Sequence, residues 1–160
     1  MAQKITKITY SNDITLITLS SLPSGQAVAR VLTSFAEAGI NVDMISQTAP
    51  QGGTVRLSFT ISDDALGSAL TIRGKLNGEI RIAPEILPGN VKIAFYDAEM
   101  VNTPGVAAKV FSLLSEADIP VMLVTTSDVD ISLLVNVHEL NEALHVMSDA
   151  FLVKPEEVAF

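Results

Sequence analysis

Two halves of this chain are copies of one unit, and that narrows the fold more than any other feature of the sequence. Gln26-Ala27-Val28-Ala29-Arg30-Val31-Leu32 aligns with Gly105-Val106-Ala107-Ala108-Lys109-Val110-Phe111 at an offset of 79. The same offset carries Phe35 to Leu114, Glu37 to Glu116, Ile40 to Ile119 and Val42 to Val121. Further along, an offset of 74 pairs Leu57, Phe59 and Ile61 with Ile131, Leu133 and Val135, then Ala69 and Leu70 with Ala143 and Leu144. The first copy's extra residues are Ala49-Pro50-Gln51-Gly52-Gly53, a composition that belongs in a surface turn, where insertions are tolerated. A chain of 160 residues suits two small units of this kind, expected at 12–88 and 89–160.

Each copy reads as β-α-β-β-α-β. Ile14 to Leu19 and Val91 to Tyr96 mix apolar and β-branched residues and suit strands. Val28, Val31, Leu32 and Phe35, and again Ala107, Val110, Phe111 and Leu114, follow the spacing of a helix that buries one face. Gly39 ends the first of these helices and Pro120 forbids continuation of the second. Apolar second strands are expected at Val42 to Ser46 and Val121 to Thr125. Third strands show the alternation of a sheet with helices on one face. Second helices start near Asp63, capped by Ser62 or Asp63, and near Val137, capped by Asn136. The fourth strand of the first copy is expected at Glu79 to Pro84, closed by Leu87-Pro88-Gly89-Asn90 as a linker. The chain end offers only Phe151 to Val153 or Val158 to Phe160 for the corresponding strand. A strand over residues 3–10, with no place in the first copy, is expected to complete the second sheet. The fold class is therefore α+β, with four-stranded antiparallel sheets and helices on one face.

Charge and chemistry remove several functions. Eighteen acidic against ten basic residues give a net charge of −8, so phosphate-rich nucleic acid is not an expected partner. The imbalance lies wholly in residues 81–160, which hold twelve acidic and four basic side chains. Cysteine is absent, which excludes disulfides, thiolate catalysis and cysteine-ligated zinc. No apolar run reaches the ~20 residues of a membrane span, and the first residues lack a secretory h-region, so a cytoplasmic location is expected. His138 and His145 are seven apart, too far along a helix to share a metal, and no metal or cofactor is expected. No Ser-His-Asp order, G-x-S-x-G elbow or Walker-type phosphate loop occurs. An acylphosphatase-like enzyme would need an arginine in a phosphate-cradling loop, whereas Arg30 and its counterpart Lys109 fall inside helices.

The segment Asn102-Thr103-Pro104-Gly105-Val106-Ala107-Ala108-Lys109-Val110-Phe111 resembles the first loop and helix of an ACT domain. Glu37-Ala38-Gly39-Ile40-Asn41-Val42-Asp43-Met44-Ile45 and Thr125-Thr126-Ser127-Asp128-Val129-Asp130-Ile131-Ser132 resemble further junctions of the tandem ACT pair found in aspartokinase regulatory regions and small regulatory subunits. The likeness runs from about Thr6 to Leu152. It implies two ferredoxin-like units and a non-catalytic regulatory protein that forms a homodimer. The implied ligand is a small amino acid such as lysine or threonine, bound at unit or subunit interfaces, and the implied partner a kinase catalytic subunit. The alternative is an interaction module on the same scaffold that binds a protein only.

The implied ligand set is Ser24, Gly25, Gln26, Ala27, Val42, Asp43 and Gln47 in the first copy. In the second it is Asn102, Thr103, Pro104, Gly105, Val106, Ala107, Val121, Ser127 and Asp128. Backbone N–H groups at a helix start suit the ligand's carboxylate, and an open carbonyl at Val42 or Val121 suits its ammonium. Two departures from the family pattern stand out. Pro23 replaces a usual acidic residue, and Asp97-Ala98-Glu99-Met100 puts carboxylates where small residues are expected.

Overall fold

The computed structural model describes residues 4–160; the expected N-terminal strand begins at Gln3, which lies outside the described residues. The chain divides into two compact units, one of Asp13–Gly89 and one of residues 4–12 with Asn90–Phe160. Strands β1 (Lys7–Pro23) and β4 (Pro84–Tyr96) each contribute one part to each unit. Both units are α+β with mainly antiparallel pairing.

In the Asp13–Gly89 unit the order along the sheet is β2 (Asp43–Gln47), β3 (Thr54–Ser62), β1, β4. Register pairs Ile17 with Phe59 and Leu19 with Leu57, so these residues share one face. Helices α1 (Gln26–Glu37) and α2 (Leu66–Leu76) bury Val31, Phe35, Ala69, Ile72 and Leu76 against that face. Phe35 meets Phe59 edge to face with centroids 5.0 Å apart. The Gln51–Thr54 hairpin is closed by both backbone bonds, and Gly52 and Gly53 both take positive φ, the geometry that matches strand twist. Gly39, at φ 70, donates to Ala36 and ends α1.

The other unit orders its strands β5 (Leu123–Thr126), β6 (Asp130–Asn136), β4, β1, with the two-residue β7 (Glu156–Glu157) parallel to β1. Ile5 and Ile8 are buried with Ile93, Phe95, Leu133, Val135 and the apolar stripes of α3 (Val106–Glu116) and α4 (Leu140–Phe151). Short 3-10 turns precede α2 and α4, and Ser62 and Asn136 cap them by accepting from Asp64 and His138.

Several local expectations are corrected. No strand occupies residues 79–83: Glu79 and Ile80 still donate to the Leu76 carbonyl, which holds them as the closing turn of α2. The strand starts instead at Pro84, where a missing N–H costs nothing, and runs through Leu87-Pro88-Gly89-Asn90, so the join between the units at Gly89 and Asn90 is strand rather than turn. At the chain end Phe151 belongs to α4, Leu152 is left-handed and 90% exposed, and only Glu156–Glu157 pair. The α3 stripe is centred on Val106, Val110 and Leu114, with Phe111 exposed at its margin. Helix α3 stops before Pro120 is reached, because Asp118 adopts the left-handed conformation that Gly39 takes in the first copy. Residues Ile131 to Val135 are buried on both faces of β6, not on alternate ones.

Candidate functional site

The loop ahead of α1 is short. β1 ends at Pro23, Ser24 donates its N–H to the Gly53 carbonyl at 3.0 Å, and Gly25 caps the helix at φ 78. No side chain caps the first turn and it carries no acidic residue, so its N–H groups stay free for an anion. Ser24, Gln26 and Ala27 line an open depression together with Arg30, Glu79 and Arg81. Arg30 grips Glu79 with two bonds, Nε–Oε2 at 2.8 Å and Nη2–Oε1 at 3.1 Å. Hydrogen bonding to Arg30 holds the Glu79 carboxyl below its ordinary range, and the same contact raises the guanidinium. Sequence reasoning missed Glu79 and Arg81. Only the turn that folds the chain back after α2 brings them beside α1, and no spacing announces it.

The other first-copy residues lie on β2, the edge strand. Gln47 is level with Leu57 and so with Leu19 of β1, near the loop end of the sheet. Asp43 is level with Thr60, six positions along β3 from Thr54, which faces Pro23. At ~3.3 Å per residue that separation is about 20 Å. Gln47 is three positions along β3 from Thr54, nearer the loop end than Val42 and Asp43, which sit at the far end of the strand.

The loop ahead of α3 carries an extra 3-10 turn, Met100–Asn102. Thr103 Oγ1 donates to the Glu99 carbonyl at 2.9 Å, and Asn102 Nδ2 donates to the Glu99 carboxylate at 3.4 Å, so both side chains brace the loop. Pro104 leads into Gly105, left-handed at φ 91, which caps α3 with no side-chain cap and no acid in the first turn. The Val106 side chain is buried in the core, which leaves its N–H as the group it offers, and Ala107 is exposed. Across from this loop lies the β5–β6 turn: Ser127 Oγ accepts from Val129 and Asp130, and Asp97 N–H reaches the Val129 carbonyl at 3.0 Å. That bond ties the start of the loop, at Asp97, to the β5–β6 turn that holds Ser127 and Asp128. Val121 precedes Met122, which bonds Leu134 at the opposite end of β6. One residue stood out in the sequence only as a departure. Asp97 is 4% exposed, its Oδ1 accepts the Glu99 N–H at 2.8 Å, and its Oδ2 has no hydrogen-bond partner. Among the described residues no group of His, Cys, Asp or Glu could hold a metal.

With this geometry in place, residues 93–151 match the ACT domain family model. The regulatory subunit of aspartate kinase from Thermus thermophilus, in its ligand-free form, superposes with a TM-score of 0.84 at 28% identity, covering 92% of this chain and 98% of that one. The chain resembles the regulatory ACT proteins of aspartokinases. A structure of aspartokinase alpha and beta subunits gives the same TM-score and identity and is covered to 99%. Among curated relatives, the aspartokinase of Bacillus sp. (strain MGA3) is 30% identical over 149 residues, and that of Geobacillus stearothermophilus 29% over 153. The chain spans about a third of the length of these relatives, 36% and 37%. What it resembles is the regulatory part, and both its units have the ferredoxin-like arrangement of ACT domains. No described helix is long and apolar enough to cross a membrane.

Proposed function

We propose that this protein is a non-catalytic regulator that binds a small amino acid, lysine- or threonine-like, at the loops ahead of α1 and α3 and transmits its presence to a kinase catalytic chain. The observation that carries the reading is the pair of glycine-capped helix starts with free first-turn N–H groups, on a chain that matches a regulatory subunit over nearly its whole length. Such a start favours a ligand carboxylate through its unpaired donors and the helix dipole. The 20 Å between the first loop and Asp43 of the same chain favours a site completed by β2 of a second copy, hence a homodimer. Binding shifts the kinase only by the ligand's differential affinity for two arrangements of that dimer.

Thermal denaturation with each of the twenty amino acids at millimolar concentration tests this, because a ligand of the native state raises the melting temperature. A rise for one or two of them is expected; no rise for any rejects the sensor role. A second reading, a scaffold that binds the kinase alone, draws on the loop side chains of Asn102 and Thr103 being already engaged with Glu99. It requires that a kinase catalytic chain be retained equally with and without amino acids.

A further inference from the structure

In the unit formed by residues 4–12 and Asn90–Phe160, the sheet face turned away from α3 and α4 carries a hollow that neither loop uses. Ile8, Ile93, Phe95 and Ile131 belong to the core beneath the helices. Strand alternation therefore puts Lys7, Thr9, Ala94, Tyr96 and Asp130 on the opposite face. These five line a depression of about 320 Å³, at the lower end of the range for small-molecule sites. Tyr96 lies level with Asp130 of β6, and β1 runs along the other side of β4. Lys7 and Asp130 thus rise from strands two spacings apart, about 9.5 Å at the backbone. Between them, on β4, stand the small Ala94 and the Tyr96 ring, which is 42% exposed. Among the described residues no ion pair reaches Lys7 or Asp130, and the Tyr96 hydroxyl has no hydrogen-bond partner. A simple anion or cation gains little here, because the second charge of the hollow opposes it. A chain with opposite charges at its two ends satisfies both, and its methylenes cover the apolar surface between them. We infer that this hollow binds an extended zwitterion, an ω-amino acid. Its carboxylate lies on Lys7 and Thr9 Oγ1, its methylenes along Ala94 and the Tyr96 ring, and its ammonium on Asp130. A short α-amino acid, whose two charges sit on one carbon, spans too little to meet both residues. The site uses no helix start, so it goes beyond the sensor reading above and does not depend on it.

Two-dimensional amide NMR of the full chain, titrated with 6-aminohexanoate, tests this, with hexanoate, hexylamine and L-threonine as controls. Expected is a saturable shift of the Thr9, Ala94, Tyr96 and Asp130 amides by 6-aminohexanoate. Hexanoate and hexylamine, each lacking one charge, should need about tenfold higher concentration for the same shift, and L-threonine should leave these amides unmoved. Lys7→Met and Asp130→Asn should each raise the 6-aminohexanoate midpoint about tenfold, whereas Asp130→Glu, which keeps the charge, retains binding. Lys7 is exposed and Asp130 half-buried, and failure of one variant to fold leaves the other to decide. The site is overturned if 6-aminohexanoate gives no saturable shift or shifts amides elsewhere in the chain. Equal midpoints for hexanoate, hexylamine or L-threonine, or a midpoint unchanged in either folded variant, overturn it as well. The sensor reading is judged separately by the melting-temperature series, so either can fail without the other.

Discussion

The two copies end their first helices with the same backbone turn but different residues, and the difference is measurable. Gly39 at φ 70 and Asp118 at φ 55 occupy equivalent left-handed positions. At Gly39 an added Cβ would meet nothing within 4 Å, so Gly39→Ala probes backbone strain with no packing change. The left-handed penalty for a residue with a Cβ is ~1–2 kcal/mol, and the lower chain entropy of unfolded alanine returns ~0.4–1. A net loss of about 1 kcal/mol is expected for G39A. Asp118→Gly runs the cycle backwards and also removes an exposed carboxylate from the negative end of α3, where the dipole term is ~0.3–0.5 kcal/mol. A gain of about 0.5–1 kcal/mol follows, or roughly 2–4 °C per kcal/mol in a protein of this size. Urea titrations of the three proteins at neutral pH read both numbers from the midpoint at constant slope. If G39A is neutral, or D118G destabilises, the helix ends do not have the equivalent strain claimed here.

Two further perturbations have definite signs. The depressed acidity of Glu79 means that the Arg30 contact contributes its stability above the ordinary carboxylate value of 4.5 and loses it as pH falls through the lower folded-state value. The stability difference between the native chain and Glu79→Gln, followed by denaturant titration, should therefore be constant at neutral pH and shrink on acidification; a difference independent of pH refutes the pairing. Phe59→Ala should cost about 3–5 kcal/mol by the same assay, since the ring is fully buried and packs edge-on to Phe35. A loss below ~1.5 kcal/mol would mean the core collapses around the cavity.

The repeat made the architecture legible because both copies obey the same periodicities. Leu57, Phe59, Ile61 and their partners Ile131, Leu133 and Val135 are fully or nearly fully buried, where alternation placed them. What misled were positions where local chemistry has two solutions. Glu79-Ile80-Arg81-Ile82 alternates like a strand, yet two backbone bonds to Leu76 make its start the close of a helix. Pro88-Gly89 reads as punctuation, but a strand with one neighbour missing there can carry a proline. Asp118 resembles a polar surface residue, and nothing short of alignment with Gly39 marks it as the helix terminator.

The site was legible only as far as it is contiguous in sequence. Gly25 and Gly105 entered as loop residues through the likeness to an ACT pair, and the structure gives both a positive φ immediately ahead of a helix. The partners of those loops come from elsewhere: Arg81 from the turn after α2, Val129 from the β5–β6 turn. The two loops also differ in kind. The first is an open depression edged by Arg30, Glu79 and Arg81, charges of both signs on a surface that water reaches. In the second, one more turn of chain encloses a single carboxylate. Screening makes the exposed set tolerant of many ligands, whereas an enclosed charge discriminates sharply between a cation and a neutral group of the same size. A duplicated scaffold has in this way two related loops with unequal electrostatics, one open and edged by charges of both signs, the other holding a buried carboxylate.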